Sequence, residues 1–335
     1  MATYKLVDTD QLETDLKTVA DAIREKGGTT EQLAFPDGMA SAVEAIQAGG
    51  GDTRLKDYIE GTSTELYDAD VTSVGEYKFY NSRLSTFNFP NVTKIGGNAF
   101  ALSQITNLPL CPKVSTVGER AFYACKMLKN IVINGDVQFG GYAFIDCENV
   151  TSIIAEDLTQ TSFSMFQGLK NVTSINLPKA KTIDENTFVN CSALKNIELP
   201  SLEGTLEYRV FSGCVLLESI DLGSGVNNLY KECARYCNSL KAFIIRATSG
   251  VCAAAAAPSS LFVNCYHLFG TVNSTYNPDG LKDGYVYVPR ALIEDYKVAT
   301  NWTTLADQFR ALEDYTVDGT TTGEMDWDKI NGGAS

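Results

Sequence analysis

Nine cysteines and one histidine are the side chains of this 335-residue sequence best suited to nucleophilic, redox or metal chemistry. Cys125, Cys147, Cys191, Cys214, Cys237 and Cys265 keep a fixed place, each three residues after a recurring, mostly aromatic slot. Zinc needs four ligands converging on one point. Thiols one period apart are instead strung along a line, and Cys233 with Cys237 has no second pair at metal-ligand spacing. Equivalent side chains on successive periods point the same way rather than at each other. The pattern therefore predicts free, buried, structural thiols, no metal and no cofactor. Any Ser-His-Asp or Cys-His arrangement would have to pass through His267, which sits in an irregular stretch where a packing or surface role is expected. Glu156 and Asp157 are adjacent acids without the set separation across a sugar that glycoside hydrolysis requires. The run Asp326-Trp327-Asp328 resembles the start of a calcium loop but lacks the closing glutamate. Asn-Val-Thr at Asn91, Asn149 and Asn171 is a product of the repeat, and no glycine-rich phosphate loop follows a strand. Catalysis is not expected, which leaves binding.

The elements that position these residues form an internal repeat. Leu84, Ile105, Leu128, Val150, Val172, Leu194, Leu217 and Leu240 open periods 21 to 23 residues long. Phe79, Phe100, Phe122, Phe144, Phe166, Phe188 and Phe211 keep the same beat; Ala234 takes the next slot and Phe262 resumes the series. Each opening, such as Leu194, Ile197 and Leu199, alternates inward as a strand does. Pro or Gly then ends the strand, as at Pro90, Pro178, Pro200 and Gly223. One such unit cannot bury its apolar side alone, whereas stacked units share a continuous core. The third and fifth positions of each strand should face outward. Their polar members are Thr86, Asn88, Asn107, Asn130, Ser152, Ser174, Asn176, Asn196, Glu198, Ser219 and Asp221, and these form the candidate recognition surface. Pro109, Val132, Ile154, Ala242 and Ile244 complete the column. Tyr77, Tyr80, Tyr123 and Tyr208 are candidate anchors if they lie on the turn side.

The pattern L-x-x-I-x-L-P followed by V-T-x-I-G-x-x-A-F-x-x-C, over roughly residues 55–270, resembles the BspA-type leucine-rich repeats of bacterial surface proteins. The resemblance implies an α/β solenoid, mostly β, of about nine coils. The period from Val150 departs from it with Glu156-Asp157 in place of proline, and Ala247 to Ser260 is an insertion where a bulge or short helix is expected. Residues 1–50 read as a separate helical module. One amphipathic helix spans residues 10–26 with Leu12, Leu16, Val19 and Ile23 on one face, and a second, opened by Pro36-Asp37-Gly38, turns Met39, Val43 and Ile46 inward. This module resembles one found at the start of tail-associated proteins in phages and prophages of gut Firmicutes. Beyond the solenoid, placed at residues 51–272, a cap at 273–315 is expected: a strand at Tyr285–Val288, then a helical stretch from Ala291 to Leu312 whose Trp302 and Phe309 seal the last coil. The tail, 316–335, reads as polar and loose.

Net charge is −14, with no Lys/Arg cluster to offset it, so partners among nucleic acids and anionic membranes are not expected. The start lacks the basic and apolar runs of a secretory signal, and no stretch reaches the ~18 apolar residues of a membrane span, so folding in a cytoplasm is expected. The resemblances together imply a non-enzymatic receptor-binding protein of a phage tail. On that reading, residues 1–50 join other tail or baseplate proteins, the solenoid binds a host cell-surface glycan or protein, and the chain is located in the virion, with a homo-oligomer allowed. The alternatives are a BspA-like adhesin at the bacterial cell surface and a glycan-acting hydrolase on a solenoid scaffold.

Overall fold

Short alternating apolar runs closed by proline or glycine fold as brief strands that end where a ladder donor is lost. The computed structural model describes residues 65–67, 69–83, 85–108 and 111–331; the helical module predicted for residues 1–50 lies outside them. The chain winds as a parallel β-solenoid with two columns of strands. The first column holds β1 (Glu65–Tyr67), β3 (Thr86–Asn88), β6 (Asn130–Val132), β8 (Ser152–Ile154), β9 (Ser174–Asn176), β10 (Asn196–Leu199), β12 (Ser219–Leu222), β14 (Ala242–Ile245), β16 (Tyr285–Val288) and β17 (Phe309–Ala311). The second holds β2 (Ser73–Val74), β4 (Lys94–Ile95), β5 (Thr116–Val117), β7 (Gln138–Phe139), β11 (Glu203–Leu206), β13 (Gly225–Leu229) and β15 (Ala253–Ala254). Pairing is in phase: Ile197, Ile220, Phe243, Val286 and Phe309 follow one another inside the coil, and Glu198, Asp221, Ile244, Tyr287 and Arg310 follow one another outside it.

The phenylalanines stack between their equivalents. From Phe79 to Phe211 successive ring centroids lie 5.1–5.9 Å apart with planes within 18° of parallel. Two residues of each corner from Phe79 to Ala234 take left-handed backbone, two before and two after the aromatic slot, and at Phe262 the residue two after it, Asn264, does so. Asn81, Asn98, Asn186, Asn190 and Asn264 do so at low cost, while Leu102, Arg120, Tyr142 and Tyr236 bear the Cβ penalty of roughly 1–2 kcal/mol. Gly96, Gly118 and Gly140 are needed for a different reason, close approach. A Cβ on Gly118 would lie 2.4 Å from the Gly97 nitrogen and 2.7 Å from the Gly96 carbonyl carbon.

All nine cysteines are free and buried. The ladder thiols do more than fill space: each donates to the main-chain carbonyl of the preceding coil's aromatic slot. Cys125 reaches Phe100 O at 3.1 Å, Cys147 Phe122 O at 3.1 Å, Cys191 Phe166 O at 3.4 Å, Cys214 Phe188 O at 3.1 Å, Cys237 Phe211 O at 3.2 Å and Cys265 Ala234 O at 3.1 Å. The sequon asparagines behave alike, donating from Nδ2 to Ala69 O, Lys126 O and Glu148 O from Asn91, Asn149 and Asn171. Their recurrence thus follows from coil stacking.

The C-terminal part differs from expectation in two ways. The stretch expected to be helical from Ala291 to Leu312 is broken into a 3-10 turn at Arg290–Leu292, an α-helix at Ile293–Val298, a kinked 3-10 segment at Thr303–Gln308 and strand β17. Helical geometry yields because β16 offers a free edge, and β17 pairs with it in register. Trp302 still seals the core, with its ring 6.5 Å from Phe262 and its Nε1 donating to Cys252 O at 2.8 Å. The described part of the tail, to residue 331, is also not loose. Thr316 and Met325 form an antiparallel bridge, and Asp326 N donates to Tyr315 O at 2.7 Å. Asp326, first residue of the calcium-like run, caps the short helix Trp327–Ile330 by accepting from Lys329 N. This strap packs on the outer face of the first column, where Ala242, Ile244, Tyr287, Leu312 and Met325 form a second apolar cluster with Tyr285, Tyr315, Trp327 and Ile330.

Candidate recognition face

The outer face of the first column is built by strands whose inward residues are anchored in the core, so their third and fifth positions are fixed at the surface. Thr86, Asn88 and Ser152 are half-buried there, while Asn107, Asn130, Ser174, Asn176, Asn196 and Glu198 are exposed. Ser152 Oγ donates to Asn130 Oδ1 at 2.7 Å, which orients that amide. Val132 and Ile154, paired across β6 and β8, are 45% and 41% exposed and form an apolar ridge between the polar positions.

Two of the predicted surface residues are not on the surface. Ser219 is 2% and Asp221 7% exposed, because the strap covers the face from β12 onward. Ser219 is satisfied by Asn196 Oδ1 at 2.7 Å. Asp221 accepts from Arg246 Nε and Nη2, both at 2.7 Å, and Arg246 Nη1 donates to Thr321 O and Gly323 O of the strap at 2.9 Å each. Burial pushes the Asp221 carboxyl above its usual range against the pull of the guanidinium. Glu198, at the strap's edge, is likewise raised by burial and by the neighbouring Asp221.

At the other end the face opens into a cavity. The coil from Ile105 places no residue in a first-column strand among those described, and the fifth position of its sequence is a proline, a residue without an amide to donate to a ladder. The second column continues without a break through β4, β5 and β7. Between the columns lies a cavity of about 570 Å³ floored by Ile95, Val117, Phe122, Phe139 and Phe144 and edged by Asn88, Asn107, Asn130 and Asn134. Its size falls within the usual range for small-ligand sites. The structure thus brings three predicted residues, Asn88, Asn107 and Asn130, around one opening. Asn134 and the apolar floor were not anticipated. Proline at position 109 of the sequence was the available signal, because proline has no amide to donate to a ladder.

The remaining candidates do not assemble a reaction centre. His267 is buried, its Nδ1 2.6 Å from Asp283 Oδ1 and its Nε2 3.0 Å from Tyr276 O, so both ring nitrogens are spent on holding the loop before β16. Asp157 is paired with Lys179 at 2.7 Å on the surface, beside Glu156. Among the described residues no group of His, Cys, Asp or Glu could hold a metal ion, and no helix is long and apolar enough to cross a membrane. Tyr77 and Tyr80 are exposed on the turn side, whereas Tyr123 and Tyr208 are half-buried.

The repeat and its stacking define a leucine-rich-repeat solenoid, a fold whose extended surfaces serve binding. Residues 60–173 and 159–268 match the BspA type leucine rich repeat region, and the chain belongs to that family. Among solved structures, a leucine-rich repeat protein from Bacteroides ovatus is 20% identical, with 52% of this chain and 49% of that one covered at a TM-score of 0.42. The chain therefore spans about half the length of that relative. A leucine rich cell surface protein from Faecalibacterium prausnitzii is 20% identical over 62% of this chain and 77% of that one, with a TM-score of 0.35. A leucine-rich repeat protein of T. pallidum is 21% identical over 54% and 79%, with a TM-score of 0.34. No curated protein matches the chain.

Proposed function

We propose that this chain is a non-enzymatic recognition protein of the bacterial cell surface, which binds a glycan or protein through the outer face of β3 to β10. The observation that carries the reading is the open stretch of that face: small polar side chains in register, an exposed Val132–Ile154 ridge and an apolar cavity edged by four amides. Membership of a family of surface repeats supports it. The phage-tail reading draws only on the resemblance of residues 1–50, which lie outside both the family match and the described residues; the adhesin-like reading needs nothing from them.

The test is binding of the purified chain to a panel of gut bacterial and epithelial cells. Val132→Lys with Ile154→Lys changes only exposed side chains of the ridge, so the thermal midpoint should hold while cell binding falls at least tenfold. Unchanged binding by the folded double variant would remove this face from the proposal.

A further inference from the structure

A second feature lies on the turn edge of two adjacent coils, between the second strand column and the aromatic slots. Arg209, Lys231 and Arg235 gather there, on a chain whose net charge is −14. One carboxylate oxygen serves both guanidiniums: Glu232 Oε2 accepts from Arg209 Nε at 2.7 Å and from Arg235 Nη1 at 2.9 Å, with the Tyr208 hydroxyl at 3.5 Å. Lys231 is exposed, its ammonium 5.6 Å from the Tyr208 ring centroid, and the Arg209 guanidinium lies 4.7 Å from the same centroid. Arg235 Nη2 donates to the Tyr236 hydroxyl at 2.6 Å, while its buried Nε has no hydrogen-bond partner among the described residues. The two guanidiniums thus share one acid, and the Lys231 ammonium stands beside them over the Tyr208 ring. Glu207, which precedes Tyr208 in the chain, is acted on by Glu185 and Asp184 of the preceding coil.

The rings beside these cations are part-open: the Arg235 guanidinium lies 4.5 Å from the Tyr236 centroid and covers one of its faces, while among the described residues Tyr230 carries no cation. Tyr230 is 40% and Tyr236 37% exposed, and Tyr230 stands edge-on to Tyr208 at 6.2 Å. An exposed tyrosine face stacks against the C–H side of a pyranose, and a guanidinium fork with a neighbouring ammonium suits a carboxylate or sulfate. A polyanion would have to run on over the acidic remainder of the surface, out of reach of these cations, whose attraction is screened beyond about 8 Å. An extended acidic peptide would want a strand edge, and β13 beside the cluster is already paired on both sides. We propose that the cluster of Tyr208, Arg209, Tyr230, Lys231, Arg235 and Tyr236 is a binding site for a sugar bearing a single carboxylate or sulfate. It lies apart from the outer face of the first column and does not depend on that face binding anything.

The test titrates the full chain calorimetrically with sialyllactose, a glucuronate disaccharide and a sulfated N-acetylglucosamine, with lactose as the neutral control. At least one acidic sugar should bind, lactose should not, and affinity should fall as salt is raised. Arg209→Gln and Lys231→Gln should each weaken binding about tenfold. Lys231→Gln is the variant that decides, because among the described residues the Lys231 side chain makes no hydrogen bond or ion pair and only approaches the Tyr208 ring. Val132→Lys with Ile154→Lys should leave this binding unchanged, which separates it from the outer-face reading. Failure of all three acidic sugars to bind, equal binding of lactose, or wild-type affinity in Lys231→Gln would overturn the proposal. Binding of an acidic peptide in place of the sugars would do so as well.

Discussion

Arg246→Met isolates the contact that holds the strap. The guanidinium makes two hydrogen bonds to Asp221 and two to strap carbonyls, and the side chains of Arg246 and Asp221 are only 14% and 9% exposed. Removing one partner of a buried pair leaves an uncompensated charge and costs about 3–5 kcal/mol. That figure is capped by a way out: if the strap lifts, water reaches Asp221 and the penalty is exchanged for loss of the Ala242, Ile244, Tyr287 and Met325 contacts. The expected result is a loss of about 3 kcal/mol or more in urea unfolding, together with faster hydrogen exchange and proteolysis across residues 315–331. The pH dependence gives a second readout. The folded Asp221 carboxyl stands above its ordinary value, so its protonated form favours the fold. That contribution is fully present below the ordinary carboxylate range and is lost as pH rises through the raised folded value. Without Arg246 the opposing pull is gone, so the variant should regain stability on acidification over a window reaching higher in pH than in the parent. Arg246→Met with Asp221→Leu should restore most of the loss. A single variant within ~0.5 kcal/mol of the parent, with an equally protected strap, would refute the argument.

Gly118→Ala forces a Cβ into the backbone of the preceding coil at 2.4 Å and should cost about 1–3 kcal/mol. Gly135→Ala meets no atom within 4 Å and is strained only by its φ of +81°, so it should cost about 1–2 kcal/mol; calorimetric midpoints of the two variants check the order. Thiol titration should find nine reactive cysteines in denaturant and essentially none in the native chain at neutral pH. Burial pushes Cys111 up to about 11 and Cys214, Cys233 and Cys252 to about 12, from 9.0. Because the folded values are raised, their contribution to stability is full below pH 9 and is lost as pH climbs toward 11–12, so the melting temperature should begin to fall above pH 9.

Much of the fold was legible because a solenoid repeats one local problem. Each aromatic slot meets only its equivalents one period away, so the spacing of Phe100, Phe122 and Phe144 already implied the stack seen at 5.4 and 5.1 Å. The same holds for the buried thiols, although their bonds to the preceding coil's carbonyls could not be read from spacing. The candidate recognition face was legible in part. Asn88 and Asn130 are in the strands the pattern predicts, whereas Asn107 lies in a coil with no first-column strand among the described residues, and the cavity the three edge was not readable from the repeat.

The amino-acid sequence by itself determined the period, the parallel stacking and the inward columns. Periodic side chains report nearest-neighbour contacts, and those dominate a repeat array. Only the tertiary structure decided which part of the outer face is free. Arg246 and the strap carbonyls are 75 and 77 residues apart, and a contact made once, between a repeat and a segment outside it, leaves no periodic trace. Ser219 and Asp221 carry the same pattern as Ser174 and Asn176, yet the first pair is buried and the second open. The difference is the strap above them, not anything in their own coils.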